Sequence, residues 1–327
     1  MKSPKTIKTI HAAVDADNPD DAVIGQAAAI LRQGGLVAFP TETVYGLGAD
    51  ALNPEAIAKV YKVKGRPSDN PLIWHGNRLA DFKDAVDFKD AAVFSAAQQL
   101  ADTFWPGPLT LVLPQTSGRT LAVRVPSHPV VRALIAKSGC IIAAPSANLS
   151  GRPSPTKAKH VMEDLDGAIE MIIDGGPAQE GLESTVVDLH TGAPRLLRPG
   201  AITLEMLQDI LGAVACPRLN DSSDESPLSP GMKYRHYAPK APLILAIGPP
   251  EAVAAKAQTY TSQGEVVGVL STSPHTLHDV AQSLFDRLRQ FDEMGVSLII
   301  AEGVKEEGIG LAIMNRLKKA AAEVVYL

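Results

Sequence analysis

LVAFPTETVYGLGADA, residues 36–51, decides the fold. Leu36 to Phe39 is a short apolar run that stops at Pro40. An apolar run of this length, bounded by a breaker, reads as a strand buried on both faces. Two threonines, a carboxylate, a tyrosine and two glycines follow between Thr41 and Gly48. That composition places hydroxyls and backbone amides at a strand end, on the rim of a sheet where α/β proteins hold ligands. Four loops of similar character are expected to supply the other walls: KGRPSDNP (64–71), RVPSHP (124–129), APSANLSGRPSPT (144–156) and SPGMKYRHYAP (229–239).

Outward from this stretch the pattern alternates between strands and helices. A strand is expected over 6–12, and a helix capped by Asn18 with Pro19 in its first position and Ile24, Ala27, Ala28 and Leu31 on one face. Asn53-Pro54-Glu55 opens a second helix. Strands are read at 72–75, 109–114, 120–126, 140–148, in MIIDGG, ESTVVDL and PRLLRPG, and helices at 91–104, 129–137, after Thr156 and at 203–211. Residues 213–241 change character, with four prolines and the polar run NDSSDESP, and read as a linker. From Pro242 strands LILAIG, VVGVLST, SLIIAEG and EVVYL alternate with helices at 250–262, 276–291 and 309–321. Strictly alternating strands and helices imply parallel βαβ units. The expected division is therefore residues 1–212, a linker 213–241 lying over the site, and a small Rossmann-like unit 242–327.

A chain of 327 residues is long for one core, so two domains are expected. A net charge of −5 argues against a dominant nucleic-acid surface. The two cysteines, Cys140 and Cys216, have no metal-site spacing and read as free thiols. No apolar run reaches the roughly 18 residues of a membrane span, and MKSPKTIKTI lacks an apolar signal core. A cytoplasmic protein is expected.

The positive charges are more informative than their sum. Lys64, Arg66, Arg124, Arg152, Arg198, Lys233 and Arg235 all stand in or beside loops containing glycine or proline. Any one alone reads as a solvated surface charge. Seven on shaped backbone suggest a ligand with several anionic groups. Arg124, amid the apolar neighbours of AVRVP, must find a carboxylate, a phosphate or water. A salt bridge and a ligand contact are both open for it. Ser146, Asn148, Ser150 and Ser154 follow a buried strand and could cradle phosphate, or form an ordinary Ser/Pro turn. His75 at a strand end reads as a satisfied core histidine. His236 and His275-x-x-His278 lack further ligands at zinc spacing. There is no P-loop. Gly46-Leu47-Gly48-Ala49-Asp50-Ala51, with Asp69 beyond it, mimics a dinucleotide fingerprint. Six residues separate it from the strand end and Asn53-Pro54 starts the helix afresh, so the glycines read instead as a tight backbone turn.

PTETVYGLGADA, KGRPSDNPL, WPGPLT, AVRVP, APSANLSG, ESTVVDL and LLRPG, in this order, resemble the YrdC-like family. With SPGMKYRHYAP and the C-terminal α/β unit, the chain looks like its longer form, the two-domain threonylcarbamoyl-adenylate synthases. The resemblance runs from about residue 17 to the end; Trp74 stands where the family more often has a small aliphatic residue. It implies a twisted mixed N-terminal sheet around a central cavity and a small parallel C-terminal sheet. It implies that L-threonine, bicarbonate and ATP give threonylcarbamoyladenylate and pyrophosphate, the donor for modifying adenosine 37 of tRNA by a separate transferase complex.

By the same resemblance Lys64 and Arg66 are the expected catalytic residues, contacting ATP phosphate and the carbamate oxygens. Arg124 would hold the threonine carboxylate, enclosed by Thr41, His75, Ser184 and the backbone at Ala144. Ser68, Thr120, Ser146, Ser154 and Arg198 would hold ATP, with the phosphates assigned to Lys64, the Ser146 loop and Arg198. Asn148 would face bicarbonate, and Tyr234 in the linker would close over the nucleotide. Mg²⁺ is expected with ATP, although no acidic cluster announces its ligands, and no general base stands out; Glu42 is the carboxylate nearest the key loop. Two other readings stay open: carbamoyl-adenylate chemistry of the hydrogenase-maturation type, for which two cysteines cannot supply the zinc fingers, and an RNA-binding YrdC-like protein with weak tRNA affinity, for which an aromatic stacking platform is missing.

Overall fold

The structure, a computed structural model, describes residues 7–191, 193–216, 236–273 and 275–327. The N-terminal part runs β1 (Ile10–Ala13), α1 (Asp21–Arg32), β2 (Val37–Phe39), β3 (Gly46–Asp50), α2 (Pro54–Lys64), β4 (Ile73–His75), α3 (Ala91–Phe104), β5 (Leu109–Pro114), β6 (Thr120–Arg124), α4 (Pro129–Ser138), β7 (Ile142–Ala144), α5 (Ala158–Leu165), β8 (Met171–Asp174), β9 (Thr185–Asp188), β10 (Arg195–Arg198) and α6 (Leu204–Leu211). The C-terminal part runs β11 (Leu243–Ile247), α7 (Pro250–Ser262), β12 (Val267–Leu270), α8 (Leu277–Met294), β13 (Leu298–Glu302), α9 (Ile309–Ala320) and β14 (Glu323–Tyr326).

Among the described residues the first set of strands forms one mixed sheet in the order β1-β8-β2-β3-β7-β4-β6-β5-β9-β10. Its quoted strand is buried on both sides, and the period of two decides which side each residue meets. Leu36 and Ala38 join the core under α2 and α5. Val37 and Phe39 join the core under α1 and α4. A third core, under α3, is built from alternate residues of β5 and β6 with Leu207 of α6. The C-terminal strands form a parallel sheet, β12-β13-β11-β14. Leu243 and Leu245 meet α8 and α9 on one face, and Ile244 and Ala246 meet α7 on the other.

Two local expectations are corrected. Asp20, not Asn18, caps α1, since its carboxylate accepts from Ala22 N at 2.8 Å and Val23 N at 3.1 Å. Asn18 is spent one turn earlier, its amide donating to Asp15. Gly46 and Gly48 are not a turn: they lie within β3, antiparallel to β2. Their missing side chains make room for an aromatic ring, because a methyl on Gly48 would stand 2.5 Å from Phe39 Cε1 and 2.8 Å from Ile142 Cγ2. The chain reverses at Pro40–Tyr45 instead.

The two sheets are not separate bodies joined by a tether. Val44 and Leu182 of the N-terminal part share one core with Leu284, Phe285 and Leu288 of α8 and with Tyr237. Burying each such side chain contributes roughly 1.5–3 kcal/mol. The approach is close enough that a methyl on Gly181, which has φ +72°, would collide with the Gln282 backbone.

Candidate active site

The reversal at Pro40–Tyr45 is held by its own side chains. Thr41 Oγ1 donates to Val44 O at 2.6 Å and accepts from the amides of Thr43 and Val44. Its single proton is thus committed, so Thr43 Oγ1, 2.8 Å away, is the donor between the two hydroxyls. Arg124 Nη1 in turn donates to Thr43 Oγ1 at 2.9 Å. A directed chain therefore runs from the guanidinium through both threonines into the backbone.

Around this turn the strands β4, β6 and β7 bring their ends together. The registers set His75 opposite Arg124, and Arg124 opposite Thr110. They border a cavity of about 60 Å³ lined by Thr41, His75, Arg66, Arg124, Arg198 and Ser184 among others. Ala144, Ser146, Asn148, Arg152, Ser154, Glu183, His236 and Tyr237 complete the wall.

Each charged group has a defined setting. Arg124 is 4% exposed. It donates to Glu42 Oε1 at 2.6 Å and to Gly107 O at 3.2 Å. Burial pushes the Glu42 carboxyl up, but the charge and hydrogen bond of Arg124 more than offset this and leave it below its usual range. With Thr43, these contacts use three of the five N–H groups of Arg124. Arg198 donates to Ser184 O at 3.0 Å and to Ser184 Oγ at 3.1 Å, and Ser184 Oγ lies 2.7 Å from Thr110 Oγ1. Arg66 donates to Asn70 O and Pro71 O; burial lowers it to about 10, so it stays charged at neutral pH. His75 is lowered to about 3, by burial first and then by Arg124. It is neutral, and Nδ1 faces the carbonyls of Ile73 and Ile142 at 3.1 and 3.3 Å. Nδ1 therefore carries the proton and Nε2 is an acceptor.

The loop 144–156 is shaped from below by Lys64. Its Nζ donates to the carbonyls of Ser146 and Asn148, and burial lowers its pKa well below the ordinary range. Ser146 Oγ donates to Asn148 Oδ1, and Asn148 Nδ2 donates to Leu149 O and Arg152 O. Lys64 and Asn148 thus hold the loop, and Asn148 also reaches the wall while Lys64 lies behind it. Ser68, exposed in the loop after α2, and Thr120, at the far end of β6 from Arg124, are not on the wall. Tyr234, Lys233 and Arg235 lie outside the described residues. The neighbouring Tyr237 is on the wall, buried, at φ +65°, with Phe285 5.2 Å from its ring. Ala238 N donates to Gly151 O at 2.9 Å, which lays this end of the linker along the loop.

Sequence reasoning did not single out Glu183, Thr43 or Tyr237, although all stand in stretches that it quoted, and it weighed His236 only as a zinc ligand. It gave no hint of Arg289 and Arg316. They sit on α8 and α9, where a helical arginine reads as a solvated charge, yet both are 1% exposed. Among the described residues no group of three or more His, Cys, Asp or Glu converges as a metal site.

The family described as Sua5_yciO_yrdC, telomere recombination, matches residues 29–200. The family described as the threonylcarbamoyl-AMP synthase C-terminal domain matches residues 202–322. The chain belongs to the two-domain Sua5/YrdC family. It is 48% identical to the threonylcarbamoyl-AMP synthase of Bacillus subtilis, covering 97% of this chain and 98% of that one. It is 41% identical to the enzyme of that name from Schizosaccharomyces pombe, over 93% of this chain and 89% of that one. The crystal structure of Pyrococcus abyssi Sua5 complexed with L-threonine superposes with a TM-score of 0.92 at 43% identity, over 98% of this chain and 100% of that one. The large mixed sheet with a parallel-sheet C-terminal domain is thus a close structural match to Pyrococcus abyssi Sua5. No helix among the described residues is long and apolar enough to cross a membrane.

Proposed function

We propose that this chain is a threonylcarbamoyl-AMP synthase, a nucleotidyltransferase that turns L-threonine, bicarbonate and ATP into L-threonylcarbamoyladenylate, pyrophosphate and water. The product serves tRNA modification, passed in the cytoplasm to a transferase complex that acts on adenosine 37. One observation carries the assignment to this cavity: among the described residues, Arg66, Arg124, Arg152 and Arg198 line it against the single carboxylate of Glu183, which Arg316 neutralises. Such a wall stabilises a ligand set of one amino-acid carboxylate, one carbonate and a triphosphate.

The residues divide the work by what they can donate. Arg124 keeps two N–H groups beyond those given to Glu42, Thr43 and Gly107, enough for the two oxygens of the threonine carboxylate. Neutral His75 offers Nε2 to a donor on the amino acid without adding charge, and Ser184 and the Ala144 backbone close that end. The threonine amine then meets carbonate carbon near Asn148, water leaves, and the carbamate oxygen attacks the α-phosphorus as pyrophosphate departs. Arg66 and Arg198, both on the wall, are proposed to stabilise the charge on the phosphates and the carbamate. Rate enhancement comes from positioning and fixed charge. Lys64 acts through the loop it holds. Among the described residues Glu183 is the one carboxylate on the wall and both its oxygens are engaged, so they offer Mg²⁺ no ready ligand set; the ion is proposed to travel with the phosphates.

Pyrophosphate release from ATP by the purified chain is expected only when threonine and bicarbonate are both present. Equal release without threonine overturns the reading.

A further inference from the structure

Ser154 stands on the cavity wall, 1% exposed, with Glu183 as its partner. A hydroxyl has one proton to give, and an ionised carboxylate can only accept. Burial pushes Glu183 up, but Arg316, Arg198 and the hydrogen bonds from Ser154 and Arg316 outweigh it and hold the carboxyl below its usual range. The proton of Ser154 is therefore spent on Glu183 Oε1, and only oxygen lone pairs remain for a ligand.

Arg316 is what keeps Glu183 in this state, and it comes from the C-terminal domain. Its side chain is fully buried on α9. Nε donates to Glu183 Oε2 at 2.9 Å, Nη2 to Glu183 O at 3.4 Å, and Nη1 to Pro199 O at 2.8 Å and Asn315 Oδ1 at 3.0 Å. The guanidinium lies 5.7 Å from the Tyr237 ring. A second buried arginine of that domain, Arg289 on α8, fixes the residue before Ser154. Its Nη2 donates to Pro153 O at 2.6 Å and to Asp164 Oδ2 at 2.8 Å. Position and polarity of Ser154 are both set from across the domain boundary.

We propose that the C-terminal domain, through Arg316 and Glu183, holds Ser154 as a hydrogen-bond acceptor that reads a donor group of the nucleotide, a ribose hydroxyl or the exocyclic amine, and not a phosphate oxygen. Phosphate oxygens at neutral pH are acceptors, so they gain nothing from a hydroxyl whose proton is committed. The proposal rests on ATP being the nucleotide, and it gives the C-terminal domain a task in specificity: Arg316 is a positioning residue and Ser154 a binding one.

The test is calorimetric titration of the full chain with ATP, 2′-deoxy-ATP, 3′-deoxy-ATP, purine riboside triphosphate and inorganic tripolyphosphate. One of the three nucleotide analogues is expected to bind about fivefold to tenfold more weakly than ATP, the effect of one lost hydrogen bond. Ser154→Ala is expected to lose the same factor for ATP, to lose nothing more for that analogue, and to bind tripolyphosphate unchanged. The responding analogue says which donor is read. In Arg316→Met the discrimination between ATP and that analogue is expected to fall toward one, and Arg316→Lys, which keeps the charge, to restore part of it. If Ser154→Ala weakens tripolyphosphate as much as ATP, or no analogue couples to Ser154, the proposal is overturned. If the wild-type chain binds no ATP at all, the functional reading fails, and this proposal with it.

Discussion

Two buried arginine–glutamate pairs flank the cavity. Arg124 pairs with Glu42 at 2.6 Å within the N-terminal domain. Arg316 pairs with Glu183 at 2.9 Å across the domain boundary. In both, each partner is less than a tenth exposed. The difference lies in what is left over. Arg124 has two donors to spare and stands on the wall, whereas Arg316 gives four of its five N–H groups to Glu183, Pro199 and Asn315 and is not among the wall residues. A buried ion pair is weak evidence of net stability, because desolvation offsets its attraction. Its unused valences are the better guide to what it is for: the first pair is built to receive an anion, the second to hold a wall.

Removing each arginine separates the two roles. Arg124→Ala leaves Glu42 buried without its partner, which costs on the order of 3–5 kcal/mol of stability. It also removes the seat of the threonine carboxylate, which costs on the order of 2–3 kcal/mol, about 30- to 150-fold in affinity. Thermal unfolding and threonine titration are expected to show both losses, with ATP binding nearly intact. Joint loss of threonine and ATP binding would mean that the first pair, too, is a strut. Arg316→Met is expected to bring a similar loss of stability, since Glu183 is orphaned, while threonine affinity stays within about twofold. A loss of threonine affinity as large as that of Arg124→Ala would erase the distinction.

The same contrast explains how much could be read from the sequence. Arg124 was visible because it interrupts an apolar strand, where any charge requires a partner. Every strand of the N-terminal sheet except β3 was legible, since apolar runs between Gly and Pro have few other readings. Arg316 and Arg289 were not visible, because a helix offers a charged residue a solvated face by default and only the docking of the two domains buries it. The glycines of Gly46-Leu47-Gly48 misled for a related reason. Glycine signals a turn or a close approach equally, and here the neighbour, Phe39, was seven residues away across the strand pair. The tyrosine chosen to close the site, Tyr234, lies outside the described residues, while Tyr237, passed over in the same motif, is on the wall.

Acid is expected to loosen the wall before it changes the chemistry of the histidine. His75 falls to about 3 and His236 to about 4, burial being the first cause in each. A folded pKa depressed below the unfolded 6.5 means that the unfolded chain binds more protons between these values. Stability is then full above about pH 6.5 and is lost as pH falls, by at most about 1.4 kcal/mol per pH unit for each group. Equilibrium unfolding between pH 7.5 and 5 is expected to show this slope, and His75→Asn to reduce it. In the folded chain His75 stays neutral throughout, so threonine affinity is expected to show no step near pH 6. Such a step, abolished in His75→Asn, would mean that the imidazole is charged in the site.

The smallest expected effect sharpens the comparison most. Glu42 tempers Arg124: its carboxylate draws on the charge that a threonine carboxylate would meet. Glu42→Gln keeps the shape, and its carbonyl still accepts from Arg124. Its amide then occupies the place of Oε2, which has no hydrogen-bond partner, so the loss of charge is accompanied by the desolvation of an unpaired N–H group. Stability is expected to fall by on the order of 1–3 kcal/mol as a charge-assisted bond becomes an ordinary one. Threonine affinity is expected to rise by about twofold to threefold, because the freed guanidinium turns more of its field to the ligand. The corresponding Glu183→Gln is expected to do the reverse: Arg316 is not on the cavity wall, so threonine gains nothing while the hold on Ser154 weakens. If Glu42→Gln weakens threonine binding instead, the carboxylate orients Arg124 rather than tempering it, and the two glutamates do the same job on opposite walls.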